Sequence, residues 1–191
     1  MEELQLISLI QKKDENAFRY LVETYNDKVF NTVLSFVQQV EDAEDICQEV
    51  FIEVYQSIDK FKNESKIYTW IYRIAVSKSL DHLKSKKRKK RFAFLQSLFG
   101  NEGISLAADK PHFDHPGVQL ENKEHSKVLF YAISKLPEKQ QTAFTLTKVE
   151  GLSYAEVSEI MEVSVSSVES LLFRANQNLR TLLENYYQKN L

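Results

Sequence analysis

The sequence predicts an all-α protein: two small helical domains joined by a flexible linker. Three observations predict it. With four Gly and three Pro in 191 residues, the chain has too few turn-formers for a β-sandwich or barrel. Apolar residues recur at alternating three- and four-residue steps on both sides of the middle of the chain, the spacing of a helical face. Gly100, Gly103, Gly117, Pro111 and Pro116 all fall between 92 and 122, and that clustering marks a linker between domains 1–91 and 123–191.

In the first domain a helix beginning near Asp14 carries Phe18, Leu21, Val22, Tyr25, Val29 and Val33 as one stripe. A more regular stripe follows in Ala43, Ile46, Cys47, Val50, Phe51, Val54, Tyr55 and Ile58. Cys47 therefore reads as core filler and not as a nucleophile. The opposite face holds Glu41, Asp42, Glu44, Asp45, Glu49 and Glu53, with no basic residue between 41 and 59. Two readings stay open for it: a solvated face helped by acids at the helix N-terminus, or a docking face for a basic protein. A third helix is expected from about Tyr68, with Trp70, Ile71, Ile74 and Ala75 inward and Arg73, Lys78, Lys84, Lys87 and Arg88 on another side. The loop from Phe61 to Trp70 interleaves polar residues with Phe61, Tyr68 and Trp70. Basic groups beside aromatics suit single-stranded nucleic acid, since every base offers a face to stack and a phosphate to neutralise. The alternative is that the aromatics close the core, the preferred reading for Trp70.

In the second domain Val128, Leu129, Ala132, Ile133 and Leu136 precede Pro137 on one helix. A second helix from about Glu138 presents Ala143, Phe144, Leu146 and Val149 and stops at Gly151, a left-handed cap. Ser153 and Glu156 have capping-box spacing, a helix runs from Tyr154 to about Met161, and a short turn at Glu162 and Val163 leads to Ser164 as the cap of a last helix. Val168, Leu171, Leu172, Ala175 and Leu179 face inward on it. Two short helices so joined form a helix-turn-helix, whose second helix offers its first residues to base edges, or else a plain packing hairpin.

The formal net charge of −2 conceals a segregation. Residues 1–83 hold 9 basic and 15 acidic side chains, residues 84–91 hold seven basic and no acidic, and residues 123–191 hold eight of each. A run of that density points to a polyanion, because Lys and Arg release counterions from phosphates. The balanced second domain should attract DNA feebly by itself.

Several classes are excluded. A single Cys permits neither an intrachain disulfide nor a Cys-cluster zinc site and suits a reducing interior. No apolar run approaches the roughly 18 residues of a membrane span, and the N-terminus lacks a signal peptide's basic start, so a cytoplasmic protein without membrane insertion is expected. No Ser-His-Asp, Cys-His or phosphate-loop spacing occurs, so no enzyme activity and no cofactor are expected. In the linker His112, Asp114 and His115 lack further metal ligands at defined spacing, while Phe92, Phe94, Leu95, Leu98, Phe99 and Phe113 offer apolar groups for a partner.

The strings Asp42-Ala-Glu-Asp-Ile-Cys-Gln-Glu-Val-Phe-Ile-Glu-Val-Tyr55, Tyr68-Thr-Trp-Ile-Tyr-Arg-Ile-Ala75, Leu136-Pro137, Gly151-Leu-Ser-Tyr-Ala-Glu156 and Phe173-Arg-Ala175 resemble the bacterial sigma factors of the sigma-70 family. Their order, the joint between them and the length resemble the short extracytoplasmic-function (ECF) branch, over about residues 14–183. The resemblance implies a specificity subunit that recruits core RNA polymerase to promoter DNA and nucleates melting. It makes 1–91 a region 2-like bundle and 123–191 a region 4-like helix-turn-helix domain. Asp42, Asp45, Gln48, Glu49, Ile52 and Glu53 then correspond to the helix that grips the clamp of the polymerase largest subunit. Phe61, Lys62, Ser65, Tyr68, Trp70, Arg73, Ser77, Lys84, Lys87 and Arg88 correspond to the part that melts the minus-ten element and captures a flipped base of the nontemplate strand. Ser153, Tyr154, Ser164, Ser166, Ser167, Glu169, Ser170 and Arg174 correspond to the minus-thirty-five reader, and the linker to the connector that threads into the polymerase channels.

The chain departs from the family where a basic residue is common at the positions of Glu169 and Leu171, Gly-Thr at Ser166-Ser167, and Asn at Ser77. These changes bear on which promoter is read: Glu169 is suited to accept from a cytosine amino group. The resemblance also implies control by an anti-sigma factor. The rival readings are a helix-turn-helix regulator that never joins polymerase, which would not need the acidic helix, and a helical adaptor whose basic run binds acidic protein or lipid.

Overall fold

A computed structural model describes residues 2–99 and 123–190, and residues 100–122 of the linker, including His112, Asp114 and His115, lie outside the described part. Its described elements are helices, with no strand among them.

The chain opens with α1, Glu3–Gln11, which the sequence reading did not assign. Its apolar content sits in a short mixed run whose periodicity decides nothing, yet Leu6, Ile7 and Ile10 are buried. After Lys13, whose φ of 63° turns the chain, Asp14 caps α2, Glu15–Val37, by accepting the Ala17 N–H at 2.9 Å. Helix α2 stops where Gln38 adopts φ 57°. Helix α3, Val40–Ser57, buries Ala43, Ile46, Cys47, Val50, Phe51 and Val54, the expected stripe. Cys47 is buried, and burial raises its thiol to about 11, so it stays protonated filler.

One turn of 3-10 helix over Ile58–Lys60 and the loop 61–66 lead to α4, Ile67–Phe99. Helix α4 runs eight residues past the expected start of the linker at 92. The reason is local: no Gly or Pro occurs between 67 and 99, and the first breaker is Gly100. Helices α2, α3 and α4 pack as a three-helix bundle around Val33, Leu34, Phe36, Val50, Val54, Ile71 and Ala75, closed at one end by α1.

The second domain comprises α5, Lys123–Ser134; α6, Glu138–Phe144; α7, Tyr154–Met161; and α8, Val165–Asn190. Helix α6 begins directly after Pro137 and widens into a π-helical turn over Thr145–Val149. Gly151 then takes φ 71°, the left-handed position read from the sequence. Ile133, Ala143, Leu146, Val157, Val168, Leu172, Ala175 and Leu179 form its core.

The two domains touch, with α4 packed on α7 and α2 on the π turn. The Gln38 side chain donates to the Phe130 carbonyl across this boundary. Glu150 is enclosed there with Oε1 lacking a hydrogen-bond partner. Burial raises its carboxyl from 4.5 to about 7, against the opposing pull of Thr32, Tyr72 and Lys28. An acid raised in the fold stabilises fully below the unfolded value and loses that contribution as pH climbs from 4.5 through about 7. Thermal melts of the native protein should therefore fall across that window, by at most about 3 kcal/mol, and Glu150→Gln should flatten the profile.

Candidate protein-docking and nucleic-acid interfaces

The acidic face of α3 divides in two. Asp42 is turned inward onto α4, 3.3 Å from His82 and 3.1 Å from Lys86. Glu49 and Glu53 share Lys78 at 3.6 and 4.0 Å while remaining largely in solvent. Asp45 and Gln48 point outward, as does Ile52, 55% exposed among charged neighbours. Beside them a groove of about 740 Å³ opens between α2 and α3, lined by Phe18, Val22, Phe30, Phe51, Ile52 and Tyr55. Periodicity places Phe18, Val22, Phe51 and Tyr55 on apolar faces; Phe51 is buried, while Phe18, Val22 and Tyr55 are half-buried in the groove wall. What forms is an apolar trough rimmed by acids, the chemistry of a surface for a basic, partly apolar protein helix.

The second surface belongs to α4 and the loop before it. Phe61 is 7% exposed and stacks on Trp70 at a centroid distance of 5.1 Å, so its ring is part of the core closure. Trp70 is half-buried against the same core. Lys62 and Ser77 are exposed, and Ser65 is half-buried. Further along, Lys84, Lys87, Arg88 and Arg91 line one hollow of about 670 Å³ with Asp81. Lys86 reaches back to Gln39 at 2.8 Å and to Asp42, so the basic run does not act as a uniform brush.

The helix-turn-helix is built as its sequence signals require. Ser153 caps α7, and in return its own N–H donates to the Glu156 carboxylate at 2.8 Å. Hydrogen bonds from Ser153 and Tyr68 hold Glu156 down at about 2. Glu162 supplies the left-handed turn at φ 54°. Ser164 caps α8 by accepting the Ser167 N–H at 3.2 Å, and its hydroxyl also meets those of Ser166 and Ser167 at 3.0 and 2.8 Å. Tyr154, Ser166, Glu169, Ser170 and Arg174 are exposed. So is Phe173, at 64%. Residue polarity does not mark Phe173 as a reader; its signal is an apolar side chain left in water on the helix surface beside Ser170 and Arg174.

Comparison with known proteins decides among the readings. Residues 21–89 match the family described as Sigma-70 region 2, and residues 127–179 match Sigma-70, region 4. The ECF RNA polymerase sigma-E factor of Haemophilus influenzae is 36% identical over 192 residues, covering 96% of this chain and 94% of that one. The chain belongs to the ECF branch of the sigma-70 family. The ECF RNA polymerase sigma-E factor of Escherichia coli (strain K12) is 34% identical to this sigma factor, covering 90% of it and 89% of the relative. Among solved structures, CnrH in complex with the cytosolic domain of CnrY superimposes with a TM-score of 0.68 at 20% identity, covering 96% and 97% of the two chains. The sigma factor RpoE of Bartonella quintana, in complex with the anti-sigma factor NepR, gives 0.59 at 21%, covering 87% and 96%. Both confirm the all-helical fold. The sigma factor binds core RNA polymerase and directs it to promoters; most of the acid-rimmed trough and of the basic helix face lie within the region 2 match, and the helix-turn-helix within the region 4 match.

Proposed function

We propose that the sigma factor divides its work among the three surfaces just described. Asp45, Gln48, Glu49, Ile52 and Glu53, with the trough beside them, take the basic clamp of core polymerase. Asp42 is a positioning group that ties α3 to α4. Lys62, Ser65, Tyr68, Arg73, Ser77, Lys84, Lys87 and Arg88 meet the melted minus-ten strand, while Phe61 and Trp70 brace the loop from beneath. Ser166, Glu169, Ser170 and Arg174 enter the major groove at the minus-thirty-five element, with Ser153, Tyr154, Ser164 and Ser167 beside the backbone; Phe173 is placed for a thymine methyl.

The observation that carries this reading is the presence, on one chain, of an acid-rimmed apolar trough and a helix-turn-helix. A regulator acting without polymerase would have no use for the trough. The protein supplies no catalysis on this reading; it lends specificity to an enzyme that does, in the cytoplasm where that enzyme works. Among the described residues no helix is long and apolar enough to cross a membrane, and no cluster of metal-ligating side chains occurs. The CnrH structure holds the cytosolic domain of CnrY and the RpoE structure the anti-sigma factor NepR, and on this reading an anti-sigma factor that occupies the apolar trough competes with core polymerase.

Glu169 offers the sharpest test. In complex with core polymerase, Glu169→Ala should lose about 1–3 kcal/mol of discrimination at one minus-thirty-five base pair and leave minus-ten preference unchanged. Promoter-variant competition measures both, and an unchanged minus-thirty-five preference removes Glu169 from the reader.

A further inference from the structure

The trough between α2 and α3 and the far end of α4 have complementary chemistry, and a single chain cannot bring them together. The trough runs along α3 from Glu44 to Gln56, about 18 Å of helix. Its lining is apolar, and its rims carry Asp27 on α2 and Glu44 on α3, both exposed. Ile52 stands in its wall with 55% of its surface in water. The end of α4 has the opposite charge and an aromatic tip. Residues 84–91 carry seven positive charges, and Phe92, the next residue, is 66% exposed. Arg88 and Lys89 lie one turn before Phe92, four and three residues back, so the three share a face. Both cations are exposed.

Helix α4 runs antiparallel to α3. Lys78 pairs with Glu49 and Glu53 in the second half of α3, and Lys86 pairs with Asp42 in its first turn. Arg88, Lys89 and Phe92 therefore project past the start of α3 at Val40, away from the trough. No Gly or Pro interrupts residues 67–99, so the helix does not turn back, and the trough within reach of this face belongs to another molecule. We propose that a second copy of this chain docks the Arg88, Lys89 and Phe92 face of its α4 in the trough. Phe92 packs against Ile52 and Phe51, while Arg88 and Lys89 spread to Asp27 and Glu44 on the two rims. An aromatic anchor in an apolar groove supplies affinity, and the flanking charges supply orientation and steering. The contact is head-to-tail, because each copy offers one trough and one helix end. It uses the geometry of the trough and not its assignment to polymerase. Its consequence does rest on that assignment: copies in excess of core polymerase occupy one another's docking surface.

Sedimentation velocity of the full chain, before and after nuclease treatment, tests this. Wild-type protein should sediment faster as its concentration rises towards about 0.2 mM, and pairing should weaken roughly tenfold or more from low to high salt. Glu44→Lys/Ile52→Lys spoils the trough, and Arg88→Gln/Lys89→Gln/Phe92→Gln spoils the helix end, all at exposed positions. Each variant alone should stay monomeric. An equimolar mixture of the two should pair, because one keeps an intact helix end and the other an intact trough, and that recovery also shows both to be folded. Wild-type protein that is monomeric at every concentration overturns the proposal. So does association that disappears with nuclease, which assigns it to bridging nucleic acid. Self-association that persists in either variant places the contact elsewhere and overturns it, as does a mixture that stays monomeric. Binding to core polymerase, measured separately, decides the assignment of the trough whichever way the sedimentation falls.

Discussion

Asp45→Lys with Glu49→Lys should weaken binding to core RNA polymerase by about two orders of magnitude, about 3 kcal/mol, with an unchanged helical signal and melting midpoint. The size follows from replacing attraction by repulsion at two neighbouring sites of a desolvating contact. The unchanged fold follows from the structure. Asp45 makes no ion pair among the described residues, and Glu49 pairs with Lys78 at 3.6 Å in solvent, a contact of little worth. Asp42 is a poor choice for the same test, since reversing it would set a lysine against Lys86 and His82 and disturb the α3–α4 packing. Fluorescence anisotropy against purified core measures the effect, and wild-type affinity in the double variant would remove α3 from the polymerase contact.

Replacing Lys87, Arg88 and Arg91 by Gln should make the salt dependence of DNA binding shallower by about 2 to 3 in log–log slope, with a loss at low salt that shrinks as salt is raised. The structure selects these three from the seven basic residues of 84–91. They line one hollow, while Lys84 pairs with Glu138 and Lys86 with Asp42. The C-terminal domain cannot compensate, because its eight basic residues are matched by eight acidic ones. Titrations across a range of salt concentrations give the slope directly. An unaltered slope would assign the electrostatic contact elsewhere.

How far the chain could be read in advance depended on whether the deciding interaction was local. The helix start at Asp14, the caps Ser153 and Ser164, the left-handed Gly151 and the stripe from Ala43 to Val54 are set by neighbours three or four residues away, and each stands where expected. Helix α1 escaped notice because a nine-residue amphipathic piece is stabilised by the bundle it caps and not by its own propensity. The Gly and Pro cluster places the linker at 92–122, and α4 continues through its first eight residues to Phe99, just before the first of those breakers, Gly100.

Sites divided along the same line. Residue type marked Asp45, Arg73 and Arg174 for contact. Only tertiary packing could show that Phe61 lies under Trp70, that Asp42 belongs to α4, or that Phe18 and Phe51 border a trough. The covering of Tyr68, Arg73 and Lys84 by another domain, through Glu156, Glu159 and Glu138, has no local signature at all.

The most direct test of the whole account is run-off transcription with purified core polymerase on fragmented genomic DNA, with and without this protein. The account predicts new transcript starts that share one pair of upstream elements, appear only when both components are present and vanish with Asp45→Lys/Glu49→Lys. Sequence-specific binding to the same DNA without polymerase, together with no new starts in its presence, would contradict it.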